Sequence, residues 1–293
     1  APVDAKLSTL QREFENFRQE TLGITWCRKC WWETGNLNFQ DWLLLDAWYR
    51  SRIIELPDYG EALVPCLDMI NHSSSPNAYY ERTSEHEVSL LLRPNIELEA
   101  GSEITINYGA FKSEAEMLYS YGFIDQNSCS KSLTLPLNPP LGDPLSKAKL
   151  ASYSGFPNFQ VFAEEGSTKW RSSFAYFICL NEEDGLEFKT LQQVDGTQGP
   201  LKVFWQGSDV SSCTENFESY ISNHALCDVF QLRVVTLLQD QIHQQLERLN
   251  QSQKQLDSEE LKGVNPDHHL NALRLRASEK SLLKQASGTL EKQ

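Results

Sequence analysis

A chain of 293 residues that is 40% hydrophobic, with 14 Phe, 10 Tyr and 7 Trp, has the material for packed domains, two being favoured over one, and is too apolar to stay disordered. Its net charge of −14 repels phosphate backbones, so direct nucleic-acid binding is not expected, and a cationic protein partner suits it better. No apolar run approaches the roughly 20 residues of a membrane span, no secretory leader is read, and seven scattered Cys point to reduced thiols of the cytoplasm or nucleus.

Residues 1–56 are predicted to be helical. Leu7, Leu10, Phe14 and Phe17 recur at three- and four-residue steps, the period of one helix face. Cys27-Arg-Lys-Cys30 is a CxxC with no second CxxC or HxxxH to complete four zinc ligands, so two ordinary thiols and no metal are expected. Asn38 is a candidate cap for a second helix, which carries Trp42, Leu45, Trp48 and Tyr49 as one apolar stripe and ends at Ser51-Arg52. Five of the seven Trp precede residue 49 and read as core packing.

From 61 to 109 the pattern changes to short strands and loops. Leu63-Val64-Pro65 is a brief apolar run, Val88–Leu92 suits a strand, and Glu103–Tyr108 alternates with period two after the turn Ala100-Gly101-Ser102. Pro136, Pro139, Pro140, Gly142 and Pro144 then mark a domain boundary. Beyond it the pattern is helical. Leu232, Val235, Leu238, Ile242, Leu246 and Leu249 form a long stripe, Asn265-Pro266-Asp267 stops it, and a last helix carries Leu270, Leu273, Leu282 and Leu283. An antiparallel helical pair is expected. The fold class is α+β: a β-rich core with a helical insert, followed by a mostly α-helical domain.

Two segments carry candidate chemistry: Pro65-Cys66-Leu67-Asp68-Met69-Ile70-Asn71-His72-Ser73, and Gly101–Gly109 ending in Asn107-Tyr108-Gly109, followed by Tyr121-Gly122-Phe123. Either alone reads as a turn or a strand end. Together, with Ser51-Arg52 ahead of them, they resemble the C-terminal half of a SET domain, in the subgroup typified by the plant Rubisco large-subunit lysine methyltransferase. The motif-bearing resemblance covers about 51–123. It implies a helical SET insert over 1–56, the C-terminal half of the SET core over 57–128 and a helical substrate-binding domain over 129–293.

The resemblance also implies roles. Tyr108 stands at the methyl-transfer centre. Arg52, Asn71, His72, Asp68 and Phe123 contact S-adenosylmethionine, with Arg52 at its carboxylate and Asn71 and His72 at its adenine side. Ser51, Asp68, Tyr121 and Phe123 face the substrate. The implied reaction is methyl transfer to a lysine of a non-histone protein by a monomer. Alternatives are a histidine-directed enzyme of the same fold, against which Ile53 and Ile54 after Arg52 argue, and a non-catalytic binding protein. The family's first SET segment, with its glycine-rich turn, has no counterpart here: no two of the 15 Gly are spaced Gly-x-Gly. With Ala1-Pro2 in place of a Met, the chain reads as a processed or truncated piece.

Overall fold

The computed structural model describes residues 2–56, 59–84, 87–125, 127, 131–164, 166–192, 198–258 and 263–292. The expected domain edges at 56/57 and 128/129, and Cys129, touch residues outside this set. The chain divides into two compact units, the first holding residues 1–112 and 116–127, the second 113–115 and 128–293.

The first unit begins with α1 (Pro2–Leu22), a short α2 (Thr25–Cys27) continuing into a π-helical turn (Arg28–Trp32), and α3 (Phe39–Arg52). Leu10 and Phe14 are buried on the inner face of α1. The Phe14 ring lies 5.8–5.9 Å from those of Trp32, Phe39 and Trp42, so aromatic packing joins α1 to α3. Cys27 is buried and Cys30 half-buried, both as free thiols.

Asn38 starts α3 with a reciprocal capping box. Its side chain accepts from the Gln40 and Asp41 amides at 2.8 and 3.3 Å, while the Asp41 carboxylate accepts from the Asn38 amide at 2.9 Å. Asn38→Ala is expected to lower stability by about 1 kcal/mol in urea titration, since two helix-end amides lose a partner. One expectation for α3 is overturned. Trp42 packs inward, but Leu45, Trp48 and Tyr49 are each about half exposed. Periodicity defines a helix face; it does not supply an element to cover it.

The strands of this unit are short. β1 (Ile54–Leu56) pairs antiparallel with β2 (Gly60–Ala62), β3 (Asn71–His72) runs parallel to β6 (Thr105–Ile106), and β4 (Ala78–Ser84) pairs antiparallel with β5 (Glu87–Leu92). Ile54, Leu56 and Leu67 form a small core with Val64, Ile70, Tyr80 and Val88 against it. The strand expected over Glu103–Tyr108 shrinks to Thr105–Ile106, because β3 offers only two residues to pair with. Leu63-Val64-Pro65 lies past the end of β2 and is not a strand. Helix α4 (Glu114–Tyr121) follows.

The second unit carries two small sheets beside its expected helices. Between residues 132 and 209 it holds two antiparallel three-stranded sheets. One has the order β7 (Ser132–Pro136), β8 (Asn158–Glu164), β9 (Ser167–Arg171); the other β10 (Leu186–Gln192), β11 (Gln198–Trp205), β12 (Ser208–Asp209). Of three short helices, α5 (Ser146–Ser152) lies between β7 and β8, α6 (Ala175–Cys179) links the two sheets, and α7 (Phe217–Ile221) follows β12. Two long helices, α8 (Cys227–Ser258) and α9 (Pro266–Leu290), close the unit.

Phe159, Phe174, Phe177, Phe217 and Phe230 are fully buried at the centre of this core. Helices α8 and α9 pack together, the Arg276 guanidinium on α9 donating to the Leu249 carbonyl on α8 at 2.7 Å. Asn265 caps α9 through the Asp267 amide, with Pro266 in the first turn. Leu238, Ile242 and Leu249 are buried as the stripe predicts, but Leu232 is 66% exposed. Phe230, Val234 and Leu237 take the inward positions at that end of α8 instead.

Candidate active site

All the predicted site residues belong to the first unit. Their positions begin with a strained turn. Cys66 adopts a positive φ of +74°, uncommon for a residue with a side chain, and it leads into a 3-10 turn, Leu67–Met69. That turn aims Asp68 back at the end of α3. There Arg52 Nη1 meets the Asp68 carboxylate at 3.2 Å, its carbonyl at 3.4 Å and the Met69 sulfur at 3.0 Å. Arg52 is thus held by a partner from the Asp-containing motif.

The chain then passes through Ile70 into β3, and the parallel pairing of β3 with β6 brings the two motifs side by side. The Ser73 amide donates to the Ile106 carbonyl at 2.9 Å, extending that pairing by one bond. One residue beyond β6 and its Asn107, Tyr108 turns back over β3. Its hydroxyl donates to the Ile70 carbonyl at 2.6 Å, and its amide donates to His72 Nδ1 at 3.1 Å. Since Nδ1 accepts, the imidazole proton sits on Nε2, which faces the Asp125 carboxylate at 3.0 Å. Tyr108 is therefore fixed at both ends, backbone and tip, by residues flanking Asn71.

Aromatic rings complete the wall. The Tyr108 and Tyr121 centroids are 4.6 Å apart, and the His72 ring lies 5.2 Å from Tyr108 and 5.8 Å from Phe123. Burial, and then the neighbouring Tyr121 hydroxyl, push the Tyr108 hydroxyl above the ordinary tyrosine value of 10.0, with Arg52 pulling weakly the other way. The group stays a neutral donor at physiological pH.

Ser51, Arg52, Asp68, Tyr108 and Tyr121 line one cleft of about 670 Å³, together with Ile53, Ile54, Ile70, Gly109 and Lys112. This volume falls within the range of small-molecule sites. Asn71, His72 and Phe123 are not on its lining. Asn71 is exposed, its side-chain amide donating to Glu103 at 2.6 Å; His72 and Phe123 form the layer behind Tyr108 and Tyr121. Asn77 ties the same layer together, accepting from the Thr105 amide at 2.8 Å and donating to the Glu103 carbonyl at 2.8 Å.

Sequence reasoning missed three participants. Asp125, two residues past Phe123, orients His72. The Ile70 carbonyl holds the Tyr108 hydroxyl. Lys112 donates to the Tyr108 carbonyl at 2.8 Å and to the Tyr121 hydroxyl at 2.7 Å. Only Asp125 and Lys112 carried any signal, as charged residues within a few positions of the motifs; the carbonyl carried none.

Comparison with known proteins agrees with this layout. The SET domain family matches residues 9–109, and the Rubisco LSMT substrate-binding family matches 140–283. The chain therefore carries a SET segment followed by an LSMT-type substrate-binding domain, the arrangement of the Rubisco large-subunit methyltransferase-like proteins.

A SET domain-containing protein 8 from Schizosaccharomyces pombe is 29% identical over 240 residues, covering 80% of this chain and 53% of that protein. The chloroplastic ribulose-1,5-bisphosphate carboxylase/oxygenase large subunit N-methyltransferase of Pisum sativum is 30% identical over 141 residues, 42% of this chain and 29% of that one. Among solved structures, the SET domain of LSMT bound to lysine and AdoHcy superposes with a TM-score of 0.61 at 19% identity, covering 99% of this chain and 62% of that one. The chain thus spans about half the length of the fission-yeast relative.

Proposed function

We propose that the protein transfers a methyl group from S-adenosylmethionine to the side-chain amine of a lysine on a non-histone protein. The observation that carries this reading is the Tyr108 hydroxyl, held 2.6 Å from the Ile70 carbonyl at the wall of a cleft shared with Arg52, Asp68 and Tyr121. The pea relative's name, and the lysine and AdoHcy bound to LSMT, support it. The apolar Ile53 and Ile54 on the cleft lining support lysine over histidine as the acceptor.

The donor set fits such a cofactor. Arg52 presents a guanidinium suited to its carboxylate, and Tyr108 and Tyr121 offer aromatic faces to a cationic centre. Asn71 and His72 are assigned to the adenine side, Asn71 by its exposed amide and His72 by its main chain. Phe123 supports that side from behind, and Ser51 and Asp68 stand at the substrate mouth. When bound, the cofactor supplies an electrophilic methyl on a sulfonium.

The remaining work belongs to this chain. A free lysine amine has a pKa near 10.4, so delivering it neutral at pH 7 costs about 4–5 kcal/mol. An apolar channel past Ile53, Ile54 and Tyr121 reduces that cost by disfavouring the charged form. With its own proton committed to the Ile70 carbonyl, the Tyr108 oxygen has lone pairs left to accept an N–H from the substrate. That contact aims the nitrogen lone pair along the cleft, and alignment supplies much of the acceleration.

Two measurements test this reading. The full chain, incubated with radiolabelled S-adenosylmethionine and a cell extract, is expected to label lysine. Label on histidine moves the assignment to the histidine-directed class, and no label from a cooperatively folded protein overturns it. Asn71→Ala is expected to weaken cofactor binding about tenfold by calorimetry, the effect of one polar contact, with a smaller change in turnover.

A further inference from the structure

One lysine of this chain already lies inside the cleft. The Lys112 amine donates to the Tyr108 carbonyl at 2.8 Å and to the Tyr121 hydroxyl at 2.7 Å, and it lies 5.0 Å from the centre of the Tyr121 ring. A carbonyl, a hydroxyl and an aromatic face are the groups that a lysine-accepting channel would offer an incoming amine. The position is built by the backbone. Lys112 closes a turn onto the Gly109 carbonyl at 3.2 Å, which folds its side chain back beside Tyr108. Its stem lies across Gly109, where a Cβ would meet Lys112 Cγ and Cδ at 3.0 Å and where φ is +148°. Glycine suits the positive φ here, and a side chain in its place would press on the lysine stem.

We propose that Lys112 is a methyl acceptor in its own cleft, a self-methylation site; this rests on the methyl-transfer reading above. In the step, a bond forms between Lys112 Nζ and the methyl carbon while the carbon–sulfur bond of the sulfonium breaks. The bonding pair stays on sulfur, giving S-adenosylhomocysteine, and the ammonium proton passes to water. The two acceptors set the extent of reaction. A monomethylated ammonium keeps two N–H groups, matching the Tyr108 carbonyl and the Tyr121 hydroxyl. A second methyl leaves one of them without a donor, so the product stops at one methyl.

The purified full chain is incubated alone with isotopically labelled S-adenosylmethionine, and modified residues are mapped by mass spectrometry beside a reaction containing cell extract. One methyl on Lys112 is expected, at a fractional rate unchanged by tenfold dilution of the protein. Lys112→Arg and Lys112→Gln are expected to remove at least about nine-tenths of the label taken up by the chain itself. Labelled extract proteins with unmodified Lys112 overturn the proposal and leave the activity standing. No label anywhere overturns both. A Lys112 rate that falls in proportion to dilution overturns modification within one molecule.

Discussion

Tyr108→Phe is expected to lower turnover about 100-fold or more while cofactor affinity changes less than about twofold. The substitution removes one oxygen and little else. The ring keeps its neighbours, Tyr121 at 4.6 Å and His72 at 5.2 Å, and the backbone amide keeps its bond to His72 Nδ1. The Ile70 carbonyl loses its donor, but it borders a cleft that water reaches. What disappears is the acceptor proposed to orient the substrate nitrogen, a contact expected to be strongest when the amine attacks. Radiometric turnover and calorimetric titration of the cofactor separate the two quantities. Equal losses in both would mean that Tyr108 shapes the pocket and does not serve the reaction. The pH profile gives a second check. Burial raises the Tyr108 hydroxyl above its usual value near 10, so it does not ionise across the neutral range. A rate that climbs with pH then reports loss of the substrate ammonium proton, and the climb should survive in the Phe variant.

The largest stability effect is expected in the second unit, at Lys149. Its side chain is 1% exposed, its amine lies 2.5 Å from the Asp143 carboxylate, and it also donates to the Ile178 carbonyl at 2.8 Å. Lys149→Met keeps most of the stem volume but strands the Asp143 carboxylate, itself only 8% exposed. Breaking such a pair from one side costs about 3–5 kcal/mol, because a buried charge loses its counterion. Urea titration at constant slope measures this. The double variant Lys149→Met with Asp143→Asn removes both charges, and the amide oxygen can still accept from the Leu145 amide as Asp143 does at 2.9 Å. It is expected to regain at least half of the loss. A single-variant cost below about 1 kcal/mol would show that water reaches the pair and screens it.

Both variants bear on what was readable in advance. The motif residues around Asn71 and Tyr108 were visible because each group is contiguous and its order along the chain is distinctive. The Asn38 cap was visible for the same reason, since a cap acts on amides two and three residues away. The two sheets of the second unit were missed although they carried a signal. In β8, Phe159 and Val161 alternate with Asn158 and Gln160, the period of a half-buried strand.

Lys149 had no signal of its own, because burial of a charge depends on what packs over it. The same holds for Leu45, Trp48 and Leu232, apolar residues on helix faces that stay exposed. Sequence alone determined what acts within a few residues: caps, turns, strand alternation and the order of the two motifs. Tertiary structure alone decided the long-range pairings. His72 meets Asp125 from 53 positions away, Tyr108 meets the Ile70 carbonyl from 38, and Lys112 comes to share the cleft with Tyr108 and Tyr121. Such contacts arise when a parallel strand pair and a turn close loops in space, and that closure is a property of the packed chain that no local pattern encodes.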